Sequence, residues 1–322
     1  MLSAMNKNMQ FRNQAYYCFR CLMPRRFQIR VRQIIAARIH RKCSGTWPIL
    51  SSAAAKPIHW KGWPGGKQFA LVLTHDVDTG RGQDRCLELK GLEQEYGFVS
   101  SFNFVAERYS VNAALRDQLA QEGFEVGVHG LHHDGKLYQS WKTFQARAAK
   151  INDYLREWNA VGFRSPAMHH NLDWIHLLNI EYDASTFDTD PFEPQPDGME
   201  TIFPFWVRGT PPRPGYVELP YTMPQDFTLF VLLQERTCRI WEKKLDWIAA
   251  RGGMALVNTH PDYMNFSRKS RAADEYPAQR YRDLLTIIKN KYRNKYWLVL
   301  PRTMATFWRE SMVVPDGRQK VR

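Results

Sequence analysis

Six residues of this 322-residue chain have types and positions that could form one chemically active site: Asp76, Asp78, His129, His133, Arg164 and His260. In a strand, residues i and i+2 point to the same side, so Asp76 and Asp78 can enter one site together, one as a metal ligand and the other as a base. Taken alone, the same pair reads better as a turn or helix-capping motif, which is common at strand ends. His129 and His133 are four apart. On a helical turn that spacing puts both imidazoles on one face, where each can offer a nitrogen to a single ion. Ordinary packing explains the histidine pair by itself just as well. With a carboxylate from another strand they would complete a three-ligand set whose open positions admit water, a site that acidifies water and polarises a carbonyl. Two other metal chemistries are disfavoured. A metalloprotease helix requires Glu directly after the first His, and here that residue is Gly130. The iron-oxygenase triad places its carboxylate close after the first His, which this chain does not do.

Each group follows an apolar run. Phe69–Leu73 precedes Thr74-His75-Asp76-Val77-Asp78, Phe124–Val128 precedes His129, Val161–Phe163 precedes Arg164-Ser165-Pro166, and Met254–Thr259 precedes His260-Pro261. Side chains at the carboxyl ends of parallel strands converge on one face of a barrel or open α/β sheet. Strands are predicted at 68–74, 98–105, 124–128, 161–164, 182–187, 254–259 and 296–300. Helices are predicted at 83–96, 112–122, 139–158, 229–251, 277–293 and 302–311. Nine prolines between 191 and 225 exclude a regular helix there and predict an ordered loop or a short antiparallel excursion. The alternation predicts a parallel sheet flanked by helices, with six or seven βα units in an incomplete barrel.

Residues 1–55 read as a basic N-terminal extension and residues 56–322 as one catalytic domain. Before Asp76 the chain has no acidic residue and 13 Lys and Arg, which leaves 45 − 13 = 32 basic against 32 acidic residues, so the net +13 belongs to the N-terminal quarter. A neutral main body gives no reason to expect nucleic acid as a partner. Residues 24–42 form a basic amphipathic helix with Phe27, Val31, Ile34, Ile35 and Ile39 at helical spacing. Such a helix either lies on an anionic membrane or packs its apolar stripe on the main domain. An acid-free, Arg-rich segment also has the composition of an organellar targeting peptide. The first 25 residues hold no continuous apolar core, so the expectation is a cytoplasmic protein, peripheral to the membrane if the helix docks there. Five cysteines are expected as reduced thiols. Cys18 and Cys21 have half-site zinc spacing without a second pair.

Together and in this order, His75-Asp76-Val77-Asp78, His129-xxx-His133, Arg164-Ser165-Pro166 and Thr259-His260-Pro261 resemble the polysaccharide deacetylases, the NodB-homology group of carbohydrate esterase family 4. The resemblance spans roughly residues 68–262. It implies a distorted (β/α) barrel of about seven strands and hydrolysis of an N-acetyl or O-acetyl group on a carbohydrate or glycan precursor. It implies a divalent ion, zinc first, held by Asp78, His129 and His133. Asp76 would be the base, Arg164 its positioning partner and His260 the acid. A further aspartate tuning that histidine would be Asp183, ahead of Asp188 and Asp190, and a backbone N–H near Ala167 would face the oxyanion. Two departures stand out. Val77 separates aspartates that are adjacent in the family, and Ala167-Met168-His169-His170 stands where an aromatic commonly lines the sugar site. Glu218, Trp206 and Tyr221 are candidates for bordering the site or packing its loop. Hydrolysis of another non-peptide amide on the same fold, or a silent sugar-binding protein, are the alternatives. The intact ligand set argues against the first, and the paired base and acid against the second.

Overall fold

The structure, a computed structural model, describes residues 24–211, 214–267 and 271–312. Its centre is β1 (Phe69–Val77), buried at all nine positions. An unbroken apolar run is what a strand covered on both faces requires. Parallel to it run β2 (Ser101–Phe104), β3 (Glu125–Val128), β4 (Gly162–Phe163) and β5 (Tyr182–Asp183), each pairing with the one before. β6 (Phe205–Arg208) and β7 (Gly215–Glu218) form an antiparallel hairpin whose second strand continues the sheet beside β5. That hairpin is the antiparallel excursion expected of the proline-rich stretch. β8 (Met254–Thr259) pairs with β1 over six residues. The Leu256 carbonyl of β8 also accepts the backbone N–H groups of Thr222 and Met223 at 3.2 and 3.1 Å. The sheet thereby curls into a distorted barrel. A small pair, β9 (Met264–Asn265) and β10 (Tyr276–Pro277), lies apart, and β11 (Tyr296–Leu298) pairs with the start of β1.

Helix α1 (Arg25–Cys43) precedes the barrel, and α2 (Gly80–Asp84) follows β1 directly. The outer layer comprises α3 (Cys86–Tyr96), α4 (Ala113–Gln121), α5 (Trp141–Glu157), α6 (Leu172–Ile175), α7 (Arg239–Arg251), α8 (Gln279–Lys291) and α9 (Pro301–Met312). Their ends follow local chemistry. The side chains of Asn112 and Ser140 cap α4 and α5 by accepting N–H groups of the first turn, and left-handed Gly97 and Gly252 end α3 and α7.

Three expectations change. The single helix expected at 229–251 is a fully buried π-helical turn, Phe227–Leu232, followed after a loop by α7. Left-handed Gln234 (φ 57°) breaks the run. The chain from His129 to His133 is an irregular loop rather than a helical turn, with Gly130 and His133 at φ 66° and 49°. Finally, α1 does not dock by its apolar stripe. It buries Gln28, Ile29 and Ala36, anchors through Gln33 Nε2 to the Val231 carbonyl (2.9 Å) and Arg25 to Asp274 (3.1 Å), and leaves Phe27, Ile34 and Ile35 exposed. One continuous core runs from Ile29 on α1 to Trp308 on α9, so the described part of the extension belongs to the same packed unit. Among the described residues no helix is long and apolar enough to cross a membrane. Cys43, Cys86 and Cys238 are free thiols, and the Cys18/Cys21 pair lies outside the described residues.

Candidate active site

Strand alternation sorts the first motif. Asp76 and Asp78 project into a cleft of about 950 Å³ that His129, His133, Ala167 and His260 also line. His75 points the other way into the core, its ring nitrogens 2.9 Å from Glu93 and 2.7 Å from Thr259. All of these cleft residues stand at or just beyond the carboxyl ends of β1, β3, β4 and β8, as the apolar runs predict.

Asp78 Oδ1 lies 3.5 Å from His129 Nε2 and 3.2 Å from His133 Nε2. The three side chains can offer one atom each to a common ion. His129 Nδ1 is 3.0 Å from the Arg164 carbonyl, which can only accept, so this nitrogen carries the proton and Nε2 presents a lone pair. Asp78 Oδ1 is buried with no hydrogen-bond donor of good geometry. A carboxylate oxygen facing a bare imidazole nitrogen is unfavourable without a cation between them. The donor set therefore fits a divalent metal ion, and Gly130 lets the loop close: a Cβ there would meet the Pro166 ring at 2.6 Å. Behind Asp78, the Asp262 carboxylate accepts the Asp78 N–H at 2.8 Å and the Thr79 hydroxyl. Tyr263 donates to Asp78 Oδ2 at 3.3 Å.

Asp76 is held differently. Asn103 Nδ2 and Arg164 Nη1 donate to its Oδ1 at 3.0 and 3.2 Å, and Asn258 Nδ2 donates to its Oδ2 at 2.8 Å. Strand register sets two of these contacts, since Asp76 faces Asn103 across β1–β2 and Asn258 neighbours it from β8. Arg164 is fully buried and also donates to Thr74 Oγ1, Asn258 Oδ1 and the Ala184 carbonyl, at 2.8, 2.6 and 2.8 Å. Burial opposes ionisation of Asp76, but the Arg164 guanidinium, His260 and the Asn103 bond outweigh it and hold the carboxyl well below its usual range.

Across the cleft, His260 Nε2 stands 4.0 Å from Asp76 Oδ2. Its Nδ1 is 2.7 Å from Asp226 Oδ1, and its backbone N–H donates to Asp226 Oδ2 at 2.9 Å. Burial works against the imidazolium, yet the Asp226 carboxylate prevails and pushes the His260 pKa up to about 10. The aspartate beside this histidine is therefore Asp226 and not Asp183. Asp183 lies on β5, turned away from the cleft, where its carboxylate accepts the Ser185 hydroxyl at 2.6 Å and faces Glu218 on the neighbouring strand. Burial raises both carboxyls of that pair, and their proximity raises Glu218 further. Asp188 pairs with Lys244, and Asp190 accepts from Tyr221 at 2.9 Å, so neither reaches His260.

Glu218, Trp206 and Tyr221 fall outside the cleft. Glu218 and Tyr221 are buried, Trp206 is half-buried on β6, and Trp241 is core, donating to the Pro224 carbonyl. His132 and Asp134 reach the cleft rim, paired with Glu107 and Arg147. Ala167 and Met168 turn consecutively left-handed (φ 55° and 53°) where the Arg164-Ser165-Pro166 segment meets the cleft. Non-glycine residues held in that region are costly and concentrate at functional sites. Asp226, Asn103, Asn258 and Asp262 are site residues that sequence reasoning missed. For Asn258 and Asp262 a signal existed, since each lies two residues from His260.

No family profile and no curated protein matches the sequence. Solved structures do. A candidate polysaccharide deacetylase from Mycobacterium smegmatis superposes with a TM-score of 0.59 at 20% identity, over 83% of this chain and 98% of that one. Puue allantoinase gives 0.57 at 15% identity, over 78% and 93%. A candidate polysaccharide deacetylase from Pseudomonas aeruginosa PAO1 gives 0.56 at 14% identity, over 77% and 93%. The chain has the NodB-homology fold of the polysaccharide deacetylases.

Proposed function

We propose that the protein is a metal-dependent hydrolase that removes an acetyl group from a carbohydrate amine. The observation that carries this reading is the convergence in one cleft of a three-donor metal set, a locked ionised carboxylate and a protonated imidazole. Asp78, His129 and His133 would hold a divalent ion, which would supply Lewis acidity toward an acyl carbonyl and toward water. Zinc suits two imidazoles and one carboxylate. Asp76, kept ionised by Arg164 and oriented by Asn103 and Asn258, takes the proton of the attacking water. His260, kept protonated by Asp226, delivers its Nε2 proton to the amine nitrogen as the C–N bond breaks, releasing acetate and a free amine. The likeness to two candidate polysaccharide deacetylases supports a glycan as the substrate.

A second reading is favoured by the likeness to an allantoinase: hydrolysis of a different, non-peptide amide by the same groups. Acetate release from a panel of N-acetyl and O-acetyl sugars, with and without chelator, separates the two. Chelator-sensitive acetate release supports deacetylation. Absence of release from every sugar, with turnover of a ring amide, would replace it with the second reading.

A further inference from the structure

Helix α1 presents two surfaces that the other described residues do not cover. One flank, with Gln28, Arg32, Ile35 and Ile39, forms a wall of the catalytic cleft. The outer face carries Phe27, Ile34 and Ile35, exposed at 56, 49 and 50%, with Val31 half-buried beside them. Three of the six large apolar side chains exposed among the described residues thus sit on one helix, which makes them a patch rather than scatter. An amphipathic helix of a globular domain ordinarily turns such residues inward, and this one buries Gln28 and Ala36 with Ile29 instead. Exposed Arg26, Arg30, Arg38, Arg41 and Lys42 flank the stripe. No acidic residue occurs in the helix or anywhere before Asp76. Charge complementarity names the partner: a surface that is anionic at its boundary and apolar beneath, which is a bilayer bearing acidic headgroups.

We infer that the outer face of α1 docks on an anionic membrane, and that the cleft draws its acylated glycan from that surface, as a sugar carried on an anionic lipid. Ile35 joins the two surfaces, because it is half-exposed on the stripe and also lines the cleft. Docking the stripe therefore brings the cleft mouth to the headgroup layer. Arg32 stands on the cleft side of that junction with its guanidinium stacked 4.6 Å over the Phe227 ring, an arrangement that offers its N–H groups to a phosphate or carboxylate on the carrier. The docking stands apart from the proposed deacetylation, whereas the identity of the substrate rests on it.

The test is co-sedimentation of the full chain with vesicles of phosphatidylcholine containing phosphatidylglycerol, against vesicles of phosphatidylcholine alone. The chain should bind the anionic vesicles. Binding should fall about fivefold for each of Arg30→Gln, Arg38→Gln and Arg41→Gln, the effect of losing ~1 kcal/mol per basic residue near an anionic surface. The Phe27→Ser/Ile34→Ser variant should lose about tenfold or more. None of these five residues lines the cleft, so the variants should retain helix content and hydrolysis of a soluble acetylated sugar. Vesicle binding without hydrolysis in the parent protein would support the docking and count against the catalytic reading alone. Failure of the parent chain to bind, equal binding to both vesicle types, or unchanged binding by the Phe27/Ile34 variant would overturn the docking. So would a dimer in light scattering that dissociates on those two substitutions, since a second copy would then cover the stripe.

Discussion

Replacing Asp226 by Asn isolates what the carboxylate beside His260 contributes, because the side chain keeps its shape and loses its charge. In the native site Asp226 Oδ1 lies 2.7 Å from His260 Nδ1 and 2.8 Å from the Phe227 N–H, while Oδ2 accepts the His260 N–H and the Tyr276 hydroxyl, each at 2.9 Å. With about 4 Å between charge centres and an effective dielectric of about 20, the lost attraction is about 4 kcal/mol. At 1.36 kcal/mol per pKa unit this is about three units, taking His260 from about 10 to ~7. A general acid is lost as pH rises through its pKa, so the alkaline limb of kcat/KM should move down from near 10 to near neutrality in Asp226→Asn. Side-chain NMR titration of the histidines should show the same displacement without any substrate. The sign for stability follows from the same shift. A histidine whose folded pKa is raised stabilises fully below its unfolded pKa and loses that contribution as pH rises through the folded value, so alkaline unfolding should begin at lower pH in the variant. An unmoved alkaline limb together with an unmoved His260 titration would refute the assignment of Asp226 as the group that keeps His260 charged.

Metal analysis should find about one divalent ion per chain, lost in Asp78→Ala and in His133→Ala. Asp76→Ala should retain the ion while acetate release falls by about 10²–10⁴, because a base is removed and a ligand is not; loss of the ion in Asp76→Ala with retention in Asp78→Ala would reverse the two roles. Arg164→Met should destabilise the fold by about 3–5 kcal/mol in urea unfolding, since it leaves the Asp76 carboxylate buried without its cation. Gly82→Ala should weaken metal retention while leaving far-UV circular dichroism unchanged. A Cβ at Gly82 would fall on the Asp262 carboxylate, which holds the Asp78 backbone in place.

What could be read in the sequence is what strand geometry dictates. Four apolar runs each ending in a polar residue forecast buried parallel strands, and two-residue alternation puts Asp76 and Asp78 in the cleft and His75 in the core. The histidine spacing led to the right neighbours by the wrong conformation. Ring centroids 5.3 Å apart are reached through left-handed Gly130 and His133 rather than through a helical turn. Asp226 was out of reach because it opens a π-helical turn after the proline-rich stretch, and only closure of the barrel onto β8 brings that turn to His260. Periodicity also revealed that α1 is amphipathic but not which face docks. Gln33, Arg25, Ile29 and Ala36 decide that through partners on the π-helical turn and on the segment holding Asp274, both far away in sequence.

The charge balance of the site explains why its polar groups are arranged as they are. Asp76, Asp78, Asp262 and Asp274 are buried carboxylates that line the cleft, and Asp226 is buried behind it next to His260. Asp76 has Arg164, Asp226 has His260, Asp274 has Arg25 and Arg81, and Asp262 has the Asp78 N–H and the Thr79 hydroxyl. Asp78 alone keeps a buried oxygen without a donor, aimed at two imidazole nitrogens. That oxygen lies where Asp78, His129 and His133 could offer their donor atoms to one ion. The same accounting separates the two aspartates of the first motif. Asp76 already has its cation and two further fixed donors, which suits a base that must stay ionised and in position, whereas Asp78 keeps an oxygen without a donor beside two imidazoles that could share an ion with it.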